Sequence, residues 1–134
     1  MYLSRLTLNP RDRNVRRDLA NCHELHRTLL CAFADLPGTV GNAREQLGVL
    51  HRVETDRHRD LIRVLVQSRA QPDWSKLPDS YLRPADPFED EESVVCKEID
   101  GVWNGIVAGT ELVFRLRANP TRRISEGKHP DDPL

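Results

Sequence analysis

Four short stretches of this chain read as strands by the alternation of their residues, and one repeats its apolar residues every three to four positions. The order of these periods limits the fold more than any other feature. Tyr2–Asn9 puts Tyr2, Ser4, Leu6 and Leu8 on one side and Leu3, Arg5 and Thr7 on the other, the signature of a strand. Asn9-Pro10 stops it, and Arg13–Asp18 reads as a short helical connector. Asn21 followed by Glu24 is a capping-box pair. Leu25, Leu29, Ala32 and Phe33 then recur at helical spacing, so an amphipathic helix is expected from Cys22 to about Ala34, ended by Pro37-Gly38. Leu47–Glu54 and Leu61–Ser68 are strand candidates joined by the polar turn Thr55–Asp60. Ser93–Ile99 suits a short helix or a strand equally. Glu111–Ala118, after the turn Gly109-Thr110, is expected to be the final strand.

Strand, helix, strand, strand, an undefined piece and strand is the order of a split βαβ unit. The expected class is therefore α+β: a single ferredoxin-like (RRM-like, βαββαβ) domain over residues 1–124. Its sheet is antiparallel, its helices lie on one face, and a disordered tail follows at 125–134. The 134 residues suffice for one core. Aromatics are only 5%, so that core rests on Leu, Val, Ile and Ala, with Trp74 and Trp103 expected to anchor the long loops. No run approaches 18 apolar residues, which excludes a helical membrane span and leaves no membrane partner. The opening MYLSRLTLNP shows no apolar signal region. The three cysteines, Cys22, Cys31 and Cys96, are odd in number and lack CxxC spacing. No disulfide framework or four-cysteine zinc site is expected, and the expected compartment is a reducing cytoplasm.

A net charge of −1 hides a segregation. Residues 1–71 carry 12 Lys/Arg against 8 Asp/Glu, whereas residues 72–110 carry 3 against 9. Much of that acid lies in PADPFEDEES (84–93), expected to be a surface excursion. Arginine outnumbers lysine 17 to 3 and clusters at Arg11, Arg13, Arg16 and Arg17. The guanidinium forms planar, bidentate contacts to phosphate and stacks on bases, so this bias suits nucleic acid. A GC-rich genome gives the same bias on an ordinary surface. The strand candidates at 47–54 and 61–68 hold no Phe or Tyr, so any RNA is not bound by stacking bases on that sheet.

His23 and His26 lie three apart on the expected helix, at neighbouring positions of one face. Two imidazoles beside an arginine-rich loop fit metal-free RNA cleavage. A neutral imidazole takes the proton of a ribose 2′-OH, and an imidazolium or water protonates the leaving 5′-oxygen. Imidazole titrates near neutrality, so both forms are at hand. Exposed helix histidines are also common surface residues, and the residues alone leave both readings open. Cys22, His23 and His26 lack a fourth ligand at suitable spacing, so no metal site and no cofactor are expected. His51 and His58 read as solvated hairpin residues and Glu24 as a cap. There is no P-loop, GxGxxG, GxSxG or HExxH.

LTLNPRDRNVRRDLANCHELHRTLL (6–30), VLVQSRAQPDW (64–74) and LVFRLRANPTRR (112–123) resemble the CasE family, the CRISPR repeat-processing endoribonucleases of type I-E Cascade. The resemblance implies two tandem ferredoxin-like domains and a metal-independent enzyme. That enzyme would cut a CRISPR repeat RNA hairpin at its base and stay on the guide RNA with other Cascade subunits. It places His26 at the family's catalytic histidine. His23 falls where some members carry an assisting tyrosine. Arg13, Arg16, Arg17 and Arg27 near the first helix, and Arg115 and Arg117 in RLRANP, fall at RNA-facing or domain-junction positions. This sequence ends at PDDPL with no late glycine cluster, so it is expected to match the N-terminal portion only, without the C-terminal domain. A truncated chain, a decayed gene or half of a split protein would each account for that. A catalytically inactive RNA-binding or Cascade-assembly module is the alternative reading, and a generic interaction domain a third.

Overall fold

A computed structural model of the chain describes residues 1–34 and 43–115. Strand β1 (Tyr2–Leu8) leads to helices α1 (Arg13–Ala20) and α2 (Cys22–Leu30), and α2 tightens into a 3₁₀ turn at Cys31–Phe33. A short helix α3 (Ala43–Leu47) precedes the hairpin of β2 (Leu50–Asp56) and β3 (Leu61–Ser68). After a 3₁₀ turn at Trp74–Lys76 come β4 (Val94–Glu98) and α4 (Asp100–Asn104). The four strands form one sheet in the order β2-β3-β1-β4, antiparallel throughout. With the sequential strands 1 and 3 in the centre and 2 and 4 at the edges, this is the ferredoxin-like arrangement that the sequence predicts.

Local chemistry accounts for the helices. Asp12 caps α1 by accepting from the Asn14 and Val15 amides at 2.8 and 3.1 Å, and Asn21 caps α2 by accepting from the His23 amide at 3.0 Å. These bonds satisfy amides that have no partner within the helix. Glu24 does not close the expected capping box: its carboxylate accepts from Arg27, 3.4 Å away. Between α3 and β2, Gly48 takes a φ of +54°, and a Cβ there would stand 3.1 Å from Arg69 Nε. Leu47 thus ends a helix rather than opening a strand, and β2 starts three residues later than its alternation suggested.

One face of the sheet packs on α1 and α2. Leu6, Leu8, Val64 and Val66 meet Val15, Leu25, Leu29 and Phe33 there, all of them buried. Trp74 stacks edge-on against Phe33 and donates its indole N–H to buried Ser4 Oγ at 2.9 Å, so it anchors the crossover from β3 as expected. Trp103 instead stands half-exposed on α4, outside that core. The crossover itself departs from a regular βαββαβ unit. Among the described residues it has a single 3₁₀ turn where a second long helix would lie. Pro72, Pro78, Pro84 and Pro87 remove helix donors throughout it. It is held instead through Tyr81, which donates its hydroxyl to the buried Asp18 carboxylate at 2.8 Å, and through a bridge from Leu82 to Leu8.

The fourth strand is the second correction. Val94–Glu98 pairs with β1 in the register Leu6↔Val94 to Tyr2↔Glu98, which settles the ambiguity at 93–99. Residues 111–115 are not a strand, and 116–118 of that expected strand lie outside the described residues. Alternation in Glu111–Ala118 was a true period, but β1 has only two edges, and β3 and β4 occupy both. The expected tail at 125–134 also lies outside the described residues.

Candidate functional site

Helix α2 sets the site by its phase. Leu25, Thr28 and Leu29 point into the core, which leaves His26 half-buried at the edge of that face and His23 and Arg27 exposed. Across from it, β2 pairs His51 with Val66 and Val53 with Val64. Directly opposed residues share a sheet face, so His51 faces the helices together with the core valines. It is half-buried there, not solvated as its place on the hairpin suggested. The His26 and His51 rings stand 5.7 Å apart between centroids, tilted by 33°. Burial and then the nearby His26 push the His51 imidazole below its usual value, so the neutral form is favoured. His58, as expected, is exposed.

His51 lines a groove of about 480 Å³ between the helices and the sheet edge. Asp18, Cys22 and Leu25 form the helical wall, and Val53, Thr55 and Ile62 the sheet wall. Asp18 is fully buried, yet its charge is compensated: Arg17 reaches it at 2.8 and 2.9 Å and Tyr81 at 2.8 Å. The carboxylate holds the Arg17 guanidinium more firmly protonated than usual. Burial first, and then Asp18, raise the Tyr81 hydroxyl far above its ordinary value, so it stays a donor.

The predicted residues therefore separate. His26 meets His51, which the sequence reading passed over. The signal for His51 lay in its phase with Val49 and Val53, since three residues two apart belong to one face. Arg13 and Arg16 are exposed on α1, the latter donating to the Arg11 carbonyl at 3.2 Å. Arg17 is committed to Asp18. Arg27 pairs with Glu24 one turn back. Arg115 is exposed at the open side of the sheet, its carbonyl accepting from Arg52 at 2.7 Å. Arg117 lies outside the described residues. Among the described residues no three His, Cys, Asp or Glu side chains converge as metal ligands, and no helix is long and apolar enough to cross a membrane.

Fold and groove together define a small split-βαβ domain with an imidazole pair at one sheet edge and arginines on exposed surfaces. A family model described as "CRISPR associated protein" matches residues 1–133, and the chain belongs to that family. The chain is 39% identical over 127 residues to the CRISPR-associated endoribonuclease Cse3 of Thermus thermophilus, matching 93% of its own length and 51% of that relative. It thus spans about half the length of the curated relative it matches. Among solved structures, a CRISPR-associated protein from Thermus thermophilus superimposes with a TM-score of 0.53 at 39% identity, over 68% of this chain and 47% of that one. Thermus thermophilus Cse3 bound to an RNA representing a pre-cleavage complex does so with a TM-score of 0.52 at 38% identity, over 68% and 43%.

Proposed function

We propose that this chain is the N-terminal domain, residues 1–124, of a metal-independent endoribonuclease that cleaves CRISPR repeat RNA and acts as a Cascade subunit. The observation that carries this reading is the placement of His26. It is held by α2 at the edge of the core, beside a second imidazole, in a chain 39% identical to an endoribonuclease. Neutral His26 takes the proton from a ribose 2′-OH. The alkoxide attacks the adjacent phosphorus, and the bond to the 5′-oxygen breaks. A proton from an imidazolium or a water passes to that oxygen, leaving a 2′,3′-cyclic phosphate and a 5′-hydroxyl. His23, exposed one turn before His26, serves as a hydrogen-bond donor to the RNA. Arg13, Arg16 and Arg27 supply charge around α1 and α2 that favours phosphates.

A specific observation also favours the second reading, an inactive RNA-binding or Cascade-assembly module. Val102, Val107, Leu112, Val113 and Phe114 are all well exposed in 102–114, more apolar surface than one small domain usually leaves bare. Such a strip suits a partner domain or subunit, and the cleavage cleft would be complete only with it. Labelled repeat RNA incubated with the purified chain in EDTA separates the two. Site-specific cleavage that His26→Ala abolishes, with RNA binding kept, supports the enzyme. Binding without cleavage in the parent chain supports the module.

A further inference from the structure

The open face of the sheet, opposite the helices, carries a different chemistry. Arg63 on β3 forks onto Glu91, with Nε and Nη2 each 2.9 Å from a carboxylate oxygen. Arg5 on β1 and Arg59 in the hairpin turn flank the same carboxylate at 3.8 Å, too far for a hydrogen bond. Three guanidinium groups thus surround one carboxylate, and among the described residues the only other acid in contact is Asp56, 3.7 Å from Arg63. The Arg5 Nε–H is itself buried and meets no acceptor among the described residues. Next to this cluster, and sharing Arg63 with it, lies a hollow of about 540 Å³. Arg52, Arg57 and Arg115 line it with Arg63, against Glu54 and Asp56.

Glu91 belongs to the acidic stretch 86–92, within the crossover before β4. Arg83 fastens that stretch a second time, through Glu89 at 2.8 Å. An arginine fork accepts a carboxylate and a phosphate with the same geometry, but the two non-bridging oxygens of a tetrahedral phosphodiester each offer a further lone pair to donors such as those of Arg5 and Arg59. We propose that the open sheet face carries a sequence-independent track for the phosphates of single-stranded RNA, ending at a phosphate site of Arg5, Arg59 and Arg63 that Glu91 fills in the unbound chain. An incoming strand gains the track by exchanging its phosphate for that carboxylate. The bases need no platform there, which agrees with the absence of Phe and Tyr from β2 and β3. This surface is on the other side of the sheet from His26, and it leans on the reading above only for the choice of RNA as the polymer.

The test uses the full chain and a fluorescent oligouridine that has no repeat sequence and no hairpin. Anisotropy is read across a salt series. Glu91→Gln keeps the side-chain shape and is expected to tighten binding about two- to fivefold at low salt, the scale of a single surface charge interaction. It should steepen the dependence on log salt by about 0.7, one added phosphate contact. Arg57→Gln, at an exposed position in the hollow, should weaken binding by a similar factor in the parent chain. Unchanged affinity and slope in Glu91→Gln with its fold intact would overturn the proposal. Should that variant fail to fold, unchanged binding by Arg57→Gln would do the same. A gain of Glu91→Gln for polyglutamate but not for oligouridine would mean an acidic-peptide site instead. His26→Ala leaves this binding untouched, so absence of hairpin cleavage and absence of the track are separate results.

Discussion

The two faces of one sheet differ as sharply as two proteins. On the helix side, His51 sits half-buried among valines, beside His26. On the open side its immediate neighbour Arg52 salt-bridges Glu54 and donates to the Arg115 carbonyl. The pleat separates them: consecutive side chains point to opposite faces, so one peptide bond divides the groove of His51 from an arginine-lined hollow. A slip of one residue in the β2–β3 pairing would exchange the two sets. Burial makes each group on the helix side count for more, because an unpaired polar atom there has no water to turn to. On the open face the ion pairs keep part of their contact with water, and their number and shared geometry give them weight.

That contrast can be broken or sharpened by measurement. The largest effect is expected from His26→Ala, which should lower cleavage of the repeat hairpin in EDTA by about 10²–10⁴-fold, the range for a lost general base. It should leave oligouridine binding on the other face unchanged, and a matching loss of both would erase the division of labour. Tyr81→Phe comes next. It strips a hydrogen bond from the buried Asp18 carboxylate and should cost about 1–3 kcal/mol in urea unfolding. A cost near zero would mean that this side of the sheet is no more demanding than the other.

A smaller effect concerns pH. Folding pushes the His51 imidazole below its ordinary 6.5, so below about pH 6.5 the unfolded chain binds a proton that the folded chain resists. Stability is therefore complete above that pH and is lost as pH falls from 6.5 through the lower folded value. Thermal unfolding between pH 7.5 and 5 should show this decline, and His51→Gln should flatten it. An identical decline in that variant would assign it elsewhere. The smallest effect belongs to the open face. Glu54→Gln, which removes a partly exposed pair with Arg52, should change stability by less than about 1 kcal/mol and lose most of that at high salt.

Much of this arrangement was legible one residue at a time. The Asn21 cap, the stripe of Leu25 and Leu29, and the alternation of Leu61–Ser68 each involve neighbours within a turn or a strand. Their expected bounds for β3 match the observed ones, and α2 starts where its cap predicts. His26 was legible as a candidate because it stands in a helix whose buried face could be counted. His51 was misread because it stands close to a hairpin turn in sequence, while its surroundings in space are Val66 and α2. Trp103 was misread for the converse reason: a large apolar side chain suggests burial, but α4 contributes no buried residue to the core.

Sequence alone determined the local elements, the class of fold, the segregation of arginine from acid and the family resemblance, because periodicity, caps and composition act over a few residues. Tertiary structure decided which of two candidate stretches became the fourth strand, that His51 rather than His23 meets the His26 ring, and that Glu91 lies among Arg5, Arg59 and Arg63. Each of these depends on contacts between residues 25 or more apart in the chain. Such contacts follow from how strands share edges and how the pleat assigns faces, which no window of neighbouring residues contains.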